Sequence, residues 1–515
     1  MKINKEIRDF YLKTRKLIKN GQLDFFPIYV FFFISFLALG LVFIFPDYLI
    51  FTSKKTNGIY REGVYEDVKT LTPYLTTNDT EKTIANIIFP SLFENYNGKI
   101  ISKFLKSYLV NKEKTEIQIT LKDKLYWANG EKLTTEDIRF GLEFAKKFAP
   151  SEISRFFSQL EFKIINESQG VFISKFPDNY LIYNLVYLKP LPVKVFSHYS
   201  PDFYALDLAQ NGFGPFVLKE VRNNKKKIIV LERNKYFPEK VYLKRIEFHI
   251  FKDQKEALTA FFTKEIDALA GINYFNLPSG FKKRIRIYKI VLPRVIGIFF
   301  NQQKIKANEI VDFLNANLDR QEIVKNVFNN YAEKSEGIFS PSVRKILNLK
   351  GVEVLSPQKT AKPQFDFTLI LPNSFYYPDL ARYLKSKFKI DFVIVSRIDL
   401  NEIIKNKDYQ ALLYGINYGY PPNLAYFFSQ TGINLNNSES KILEKEILET
   451  KINPAKDIFS SQQEIEKIIL DQKSNIFLVN PYYLYLVDKK FEGFDIFFVN
   501  DFSERFVKIQ NIYSK

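Results

Sequence analysis

Only two histidines, His198 and His249, and no cysteine occur in the 515-residue chain. A zinc centre of the usual kinds draws several ligands from those two residue types, so neither a catalytic nor a structural zinc is expected. Disulfides and Cys-ligated metal sites are excluded outright. The sequence holds no H-E-x-x-H zinc helix, no phosphate-binding Walker loop and no G-x-S-x-G elbow. His249 sits in a segment of alternating polarity, where a structural role is expected. The adjacent carboxylates Glu136 and Asp137 fit the first turn of a helix, where acids meet the positive end of its dipole. Nothing among these residues argues for catalysis or for a cofactor.

The ionic balance narrows the partners. There are 75 Lys and Arg against 57 Asp and Glu, a formal charge of +18. Such an excess suits a nucleic acid, an anionic membrane or an anionic wall polymer. No long basic run and no nucleic-acid module accompany it, so nucleic acid is not an expected partner. The clearest cluster, Lys225-Lys226-Lys227 after Arg222-Asn223-Asn224, has the polar composition of a hairpin turn. The 52 Phe and 31 Tyr accompany much Ile, Lys and Asn, as AT-rich coding produces, and do not by themselves mark a stacking surface. A chain of this length exceeds one ordinary core and predicts two or three domains.

The run from Phe25 to Phe45, FFPIYVFFFISFLALGLVFIF, carries no charge. A helix of about 20 apolar residues crosses a hydrocarbon core. Lys2, Lys5, Arg8, Lys13, Arg15, Lys16 and Lys19 precede the run, against Glu6, Asp9 and Asp24. This excess predicts a cytoplasmic segment over 1–24, a transmembrane anchor over 25–45 and a linker over 46–58 that leads outside. A cleaved signal peptide has a shorter apolar stretch, of about 7–15 residues, ending at small residues. FPDYLIFTSKK offers no such site, and without cysteine there is no N-terminal lipid anchor. A single-pass tether in the cell membrane is the expectation, with the rest of the chain as one body outside.

Beyond the linker, strand-like and helix-like segments alternate. TEIQITLK (115–122) alternates as a half-buried strand does, and a helix opens at Thr135. Residues 226–234 and 242–251 read as strands, 254–267 and 308–328 as helices. Residues 365–372, 391–396 and 409–418 read as buried strands. Residues 438–450 and 460–472 read as amphipathic helices, and 474–487 as a strand. The pattern predicts an α/β fold with mixed sheets.

Several segments, in order, carry a resemblance. LKDKLYWANGEKLTTEDIRFGLEFAKK (121–147) has a strand, an aromatic, an N-G turn and a helix start, with Trp127, Asn129, Gly130, Thr135, Asp137 and Phe140 at the matching places. LTPYLTTNDTEKTIANIIFPSLFENYNGKI (71–100), NGFGPFVLKE (211–220), LERNKYF (231–237), FFTKEIDAL (261–269), FLNANLDRQEIVKNVF (313–328) and GINYGYPPNLAYFF (415–428) match further motifs. Together they resemble the family 5 extracellular solute-binding proteins, the peptide-, dipeptide- and nickel-binding components of ABC importers. The resemblance implies a two-lobe, periplasmic-binding-protein-like fold of type II, in the large peptide-binding subclass. Lobe 1 is then expected at 59–94 and 186–299, its extra subdomain at 95–185, lobe 2 at 300–477, and a return to lobe 1 at 478–515.

The same resemblance implies capture of a peptide between the lobes by a monomer that serves ABC permease subunits. In peptide-binding members an Asp in an A-D-Y-P-D-P segment pairs with the ligand's α-ammonium. That place falls on Gly419, within Asn417-Tyr418-Gly419-Tyr420-Pro421. Asp79, in the loop Thr77-Asn78-Asp79, is the expected substitute; its alternative is to cap the following helix. Phe140 stands where the family often has a cleft-facing aromatic, and Tyr418 and Tyr420 fall on the cleft or hinge side, with core packing as the alternative for all three. Trp127 reads as structural. Competing readings are another solute on the same fold, or a surface sensor or adhesion module without a permease.

Overall fold

The computed structural model describes residues 56–198, 206–223, 225–272, 283–351, 363 and 365–515, with scattered positions among the first 55. Two compact units divide the chain, one of Met1–Lys54 with Lys515 and one of Lys55–Ser514. The expected anchor lies almost wholly outside the described residues; Phe31, Phe33, Ser35 and Phe36 are its described positions, each helical. Among the described residues no helix is long and apolar enough to cross a membrane.

Within the second unit, two mixed sheets form two lobes. The first has seven strands, in the spatial order Ile285–Ile290, Tyr483–Asp488, Ala268–Ile272, Gly58–Val64, Leu243–Ile250, Lys227–Arg233, Phe216–Asn223. The second has six, in the order Ala332–Lys334, Asn475–Pro481, Arg294–Phe300, Ala411–Asn417, Thr368–Pro372, Asp391–Val395. A separate four-stranded antiparallel sheet, Leu105–Val110, Glu116–Leu121, Gln169–Ser174 and Leu160–Asn166, packs with helix Thr135–Phe148 as the extra subdomain of the first lobe.

The period-two rule explains the second lobe. Along Arg294–Phe300, Ile296, Ile298 and Phe300 enter one core, while Val295 and Phe299 enter the core on the opposite face. Both faces are covered, so the strand reads as a continuous apolar run. Asp391–Val395 was expected to be buried, but it is the edge strand and Asp391, Val393 and Ile394 are exposed. An edge strand has one neighbour, and apolar content alone does not reveal that.

Two expected elements are broken. The helix over 308–328 is two helices, Asn308–Asn317 and Arg320–Asn326, because Asp319 turns its carboxylate onto the Gln321 and Glu322 amides and starts a new helix. The strand over 474–487 is Asn475–Pro481 in the second sheet and Tyr483–Asp488 in the first, separated at Tyr482. The chain crosses between sheets there and between Ile290 and Arg294. The second sheet thus spans strands from 294 to 481, where 300–477 was expected for the lobe.

The lobes also meet directly through side chains. Asn179 donates its side-chain amide to the carbonyls of Thr450 and Asn453, both at 2.8 Å, and its backbone N–H to Lys451 at 2.9 Å. The Tyr180 hydroxyl donates to the Pro422 carbonyl at 3.0 Å and accepts from the Gln462 amide at 3.0 Å. The Tyr420 hydroxyl donates to the Gly98 carbonyl.

Candidate ligand-binding site

Helix Asp79–Ile88 forms one wall of the principal cavity, and the loop before it is held by a single buried carboxylate. Glu81 accepts from the Lys69, Thr70 and Thr77 amides at 2.6, 3.1 and 2.7 Å and from the Thr77 hydroxyl at 3.0 Å. Asn78 is the N-cap: its side-chain oxygen accepts from the Glu81 amide at 2.9 Å. Capping therefore falls to Asn78. Asp79, the first helical residue, keeps its carboxylate without a hydrogen bond among the described residues.

Packed directly against it is the short helix Phe502–Phe506, started by Asp501, whose carboxylate accepts from the Ser503 amide at 2.9 Å. The segment before Lys189 completes the enclosure. Gly141, in helix Thr135–Phe148, lets that segment approach closely; a Cβ there would overlap the Lys189 carbonyl oxygen. The Lys189 amide is held from the other side by the Tyr74 hydroxyl at 2.7 Å.

These elements enclose about 310 Å³, the low end of small-molecule sites at about 300–1,000 Å³. Its charged groups are mostly paired. Lys82 meets Asp501 at 2.6 Å and Lys103 meets Glu94 at 2.9 Å. Glu504 accepts from the Asn95 side chain and the Asn500 amide, each at 2.7 Å. Burial opposes ionisation of Asp501, but Lys82 and Ser503 hold its carboxyl below the usual range. Burial, with Asp501 adding to it, pushes Glu504 up to about 8. Burial pushes Lys189 down to about 8. The Asp79 carboxyl is raised by burial and by the nearby Asp501 and Glu66.

Of the residues singled out from the sequence, Thr77, Asn78 and Asp79 line this cavity. Gly419 is adjacent: a Cβ there would sit 3.5 Å from Oδ1 of Asn500, which also lines it. Its φ of +73° is left-handed backbone, which glycine adopts without steric cost. Asn417 is exposed and accepts from the Gly419 amide at 3.3 Å. The remaining aromatics lie elsewhere. Phe140 packs against the first-lobe core, its ring 6.2 Å from that of Phe144. Tyr418 is 2% exposed and stands edge-on to Phe339 inside the second lobe. Tyr420 lies in the seam between lobes, beside Tyr183 and Phe459. Trp127 is buried and donates to Asp137 at 3.3 Å. His249 is buried beside Glu247, and burial lowers its pKa. Lys82, Glu94, Lys189, Asp501 and Glu504 were not anticipated. Asp501-x-x-Glu504 has the pattern of a helix start, the one local signal available. Among the described residues no group of three or more His, Cys, Asp or Glu side chains is placed to hold a metal ion.

The family described as bacterial extracellular solute-binding proteins, family 5 (Middle) matches residues 99–436, more than half of the chain. The chain belongs to this family. Family 5 membership fits the two-lobe α/β fold. A curated relative, the nickel-binding periplasmic protein of Escherichia coli (strain K12), is 23% identical over 295 residues, 54% of this chain. The chain spans about half, 55%, of that relative's length. Solved structures of similar fold include the ABC transporter substrate-binding protein CtaP of Listeria monocytogenes, with TM-score 0.74 and 20% identity over 89% of this chain and all, 100%, of that one. NikA of Brucella suis, in complex with Fe(III)-EDTA, gives TM-score 0.72 and 13% identity over 89% of this chain and 100% of its own. The oligopeptide-binding protein AppA of Bacillus subtilis, in complex with a nonapeptide, gives TM-score 0.63 and 17% identity over 90% and 100%. At these identities the likeness concerns the fold, and the family 5 fold is common to all three.

Proposed function

We propose that this protein captures short peptides in the first-lobe cavity beside the interlobe seam and presents them to the permease subunits of an ABC importer. The observation that carries the reading is a cavity with an unbonded carboxylate, Asp79, on one wall and ionic groups of both signs around it. A peptide's α-ammonium would find in Asp79 an exposed carboxylate with no other hydrogen bond among the described residues. The peptide-bound AppA structure supports this ligand class by analogy. Lobe closure over the ligand would then create the surface that a permease recognises.

Asp79→Asn in the full-length chain, purified in detergent, is expected to weaken binding of free di- and tripeptides by about 1.5–3 kcal/mol, or about 10- to 150-fold. N-acetylated peptides are expected to bind wild type and variant equally weakly. Isothermal titration reads both. Equal binding of free and acetylated peptides by the wild type would remove Asp79 as the amine partner. Binding of chelated metal but of no peptide would favour the non-peptide reading.

The tether belongs to the same proposal and rests on the uncharged stretch 25–45 and the basic residues before it. Cells expressing the full chain are expected to retain it in membranes after alkaline carbonate washing, whereas deletion of residues 1–50 behind a cleavable secretion signal releases it. Release of the intact full-length chain by carbonate would refute the tether.

A further inference from the structure

The end of the first sheet at which Gly58 opens its strand carries a crown of lysines. Gly58 pairs with Leu243, and the antiparallel strand beside Leu243–Ile250 ends there at Arg233. Lys235 and Lys240 lie in the connection between those two strands, and Lys244 stands at the start of the second. On the other side of Gly58, Asp488 ends its strand opposite Ile285, so Lys283, Lys489 and Lys490 lie beyond the same end. Phe491, next along the chain, comes within 4.0 Å of where a Cβ on Gly58 would sit. All six lysines are exposed.

The fold makes little use of their charge. Lys235 and Lys240 stand over the rings of Tyr236 and Tyr242, at 4.7 and 5.0 Å, and Lys489 donates to the Lys283 carbonyl at 2.9 Å. Among the described residues only Lys490 of the six forms an ion pair, with Asp267 at 2.5 Å. Acids at this end have other partners: Glu239 accepts from the Gln510 amide at 2.8 Å and Glu492 from the Tyr513 hydroxyl at 3.0 Å. The opposite end of the sheet differs, because Lys226 and Lys227 are paired there with Glu265 and Asp67. Unpaired cations massed at one end repel one another and suit an anionic partner. Tyr236, Tyr242 and Tyr513 are half-buried among them. Tyrosine, with an apolar ring and a polar tip, favours the boundary between membrane and water.

The course of the chain selects the partner. Asn57 donates its backbone amide to the Tyr242 carbonyl at 2.9 Å, so the chain enters the first lobe inside this crown. The stretch from Phe45 to Gly58 spans about 20 Å as a flexible coil and at most about 45 Å when extended. Resting on the tether proposed above, we propose that this end of the first lobe docks on anionic lipid headgroups of the membrane that holds the chain. The crossings to the second lobe leave from the other ends of these strands, after Ile290 and before Tyr483, so docking leaves the second lobe free to open and close.

The chain lacks cysteine, so one fluorophore can be attached at a chosen position. Pro238→Cys places it in the crown, and Lys252→Cys places it beyond the opposite end of strand Leu243–Ile250; both positions are exposed. The full-length chain is reconstituted into nanodiscs of phosphatidylcholine alone or of equal parts phosphatidylcholine and phosphatidylglycerol, with spin-labelled headgroups that quench on contact. Emission from position 238 is expected to be lost in the anionic discs, to return at high salt, and to persist in phosphatidylcholine. Emission from position 252 is expected to persist throughout. Lys235→Gln, Lys240→Gln, Lys244→Gln and Lys283→Gln together are expected to abolish quenching at 238 while the chain stays in the disc. Quenching at 238 that ignores lipid charge and salt, quenching as strong at 252, or none at either position overturns the docking and leaves the tether standing. A chain that does not enter the discs overturns the tether. Its binding to phosphatidylglycerol vesicles then upholds the surface if the four substitutions abolish it, and overturns the surface if they do not or if no binding occurs.

Discussion

Arg505→Met is expected to lower the unfolding free energy by about 3–5 kcal/mol. The guanidinium donates twice to Oε1 of Glu62, at 3.1 and 2.5 Å, and once to the Phe502 carbonyl at 2.5 Å. Glu62 is fully buried at 0% exposure and Arg505 is 4% exposed. Oε2 of Glu62 accepts from the Tyr485 hydroxyl at 2.7 Å, which in turn pairs with that of Tyr60. Burial pushes both tyrosines well above their usual range and keeps them protonated. Removing the guanidinium would leave the buried Glu62 carboxyl short of partners. The double variant Glu62→Gln/Arg505→Met is expected to recover much of the loss, since two charges leave together. Urea unfolding of wild type, single and double variants measures this. An Arg505→Met curve within about 0.5 kcal/mol of wild type, the range of ordinary surface substitutions, would show that the pair is not what holds Phe502–Phe506 to the first sheet. The same variant should weaken ligand binding, because that helix is a cavity wall.

Asn179→Ala combined with Tyr180→Phe should shift the lobes apart while leaving each lobe folded. Together the substitutions delete four hydrogen bonds across the seam, two from Asn179 and two at the Tyr180 hydroxyl. At about 0.5–1.5 kcal/mol each, the closed arrangement loses roughly 2–6 kcal/mol relative to the open one. All four groups can turn to water once the seam opens, so the global fold is affected less than the closure. Small-angle scattering is expected to show a larger radius of gyration, and ligand dissociation to quicken. An unchanged scattering profile together with an unchanged dissociation rate would sink the idea that these residues latch the lobes.

The strands and helices whose sequence alternates cleanly were readable, and the reasons are local. Glu116–Leu121 has a half-buried pattern, and Thr135–Phe148 has its capping box and acidic first turn. Where the reading failed, a non-local fact decided the outcome. Nothing near Tyr482 announces that the chain leaves one sheet for another, because both flanking strands are apolar throughout. Asp79 could be named because its loop lies within a recognisable motif; in the structure Asn78, not Asp79, takes the cap. Phe140 and Tyr418 were poor guides, since an aromatic on a family position packs into a core as readily as it lines a cleft. Lys189 carried no local signal at all. Its place near Glu94, Asp501 and Glu504 is a property of the assembled cavity.

The contact between Asn95 and Glu504 joins residues 409 positions apart. Both belong to the wall of one small cavity, so that wall cannot be completed before the C-terminal segment is made. A chain emerging from synthesis N-terminus first carries the helix of Asp79 and the segment of Lys189 long before Phe502–Phe506 exists to close over them. Until then Lys82 lacks Asp501 and Glu62 lacks Arg505, and the half-built wall is polar and open to water. Loop-closure entropy over such a separation places this step late in folding. Nascent or partly synthesised chains therefore lack the complete wall of this cavity.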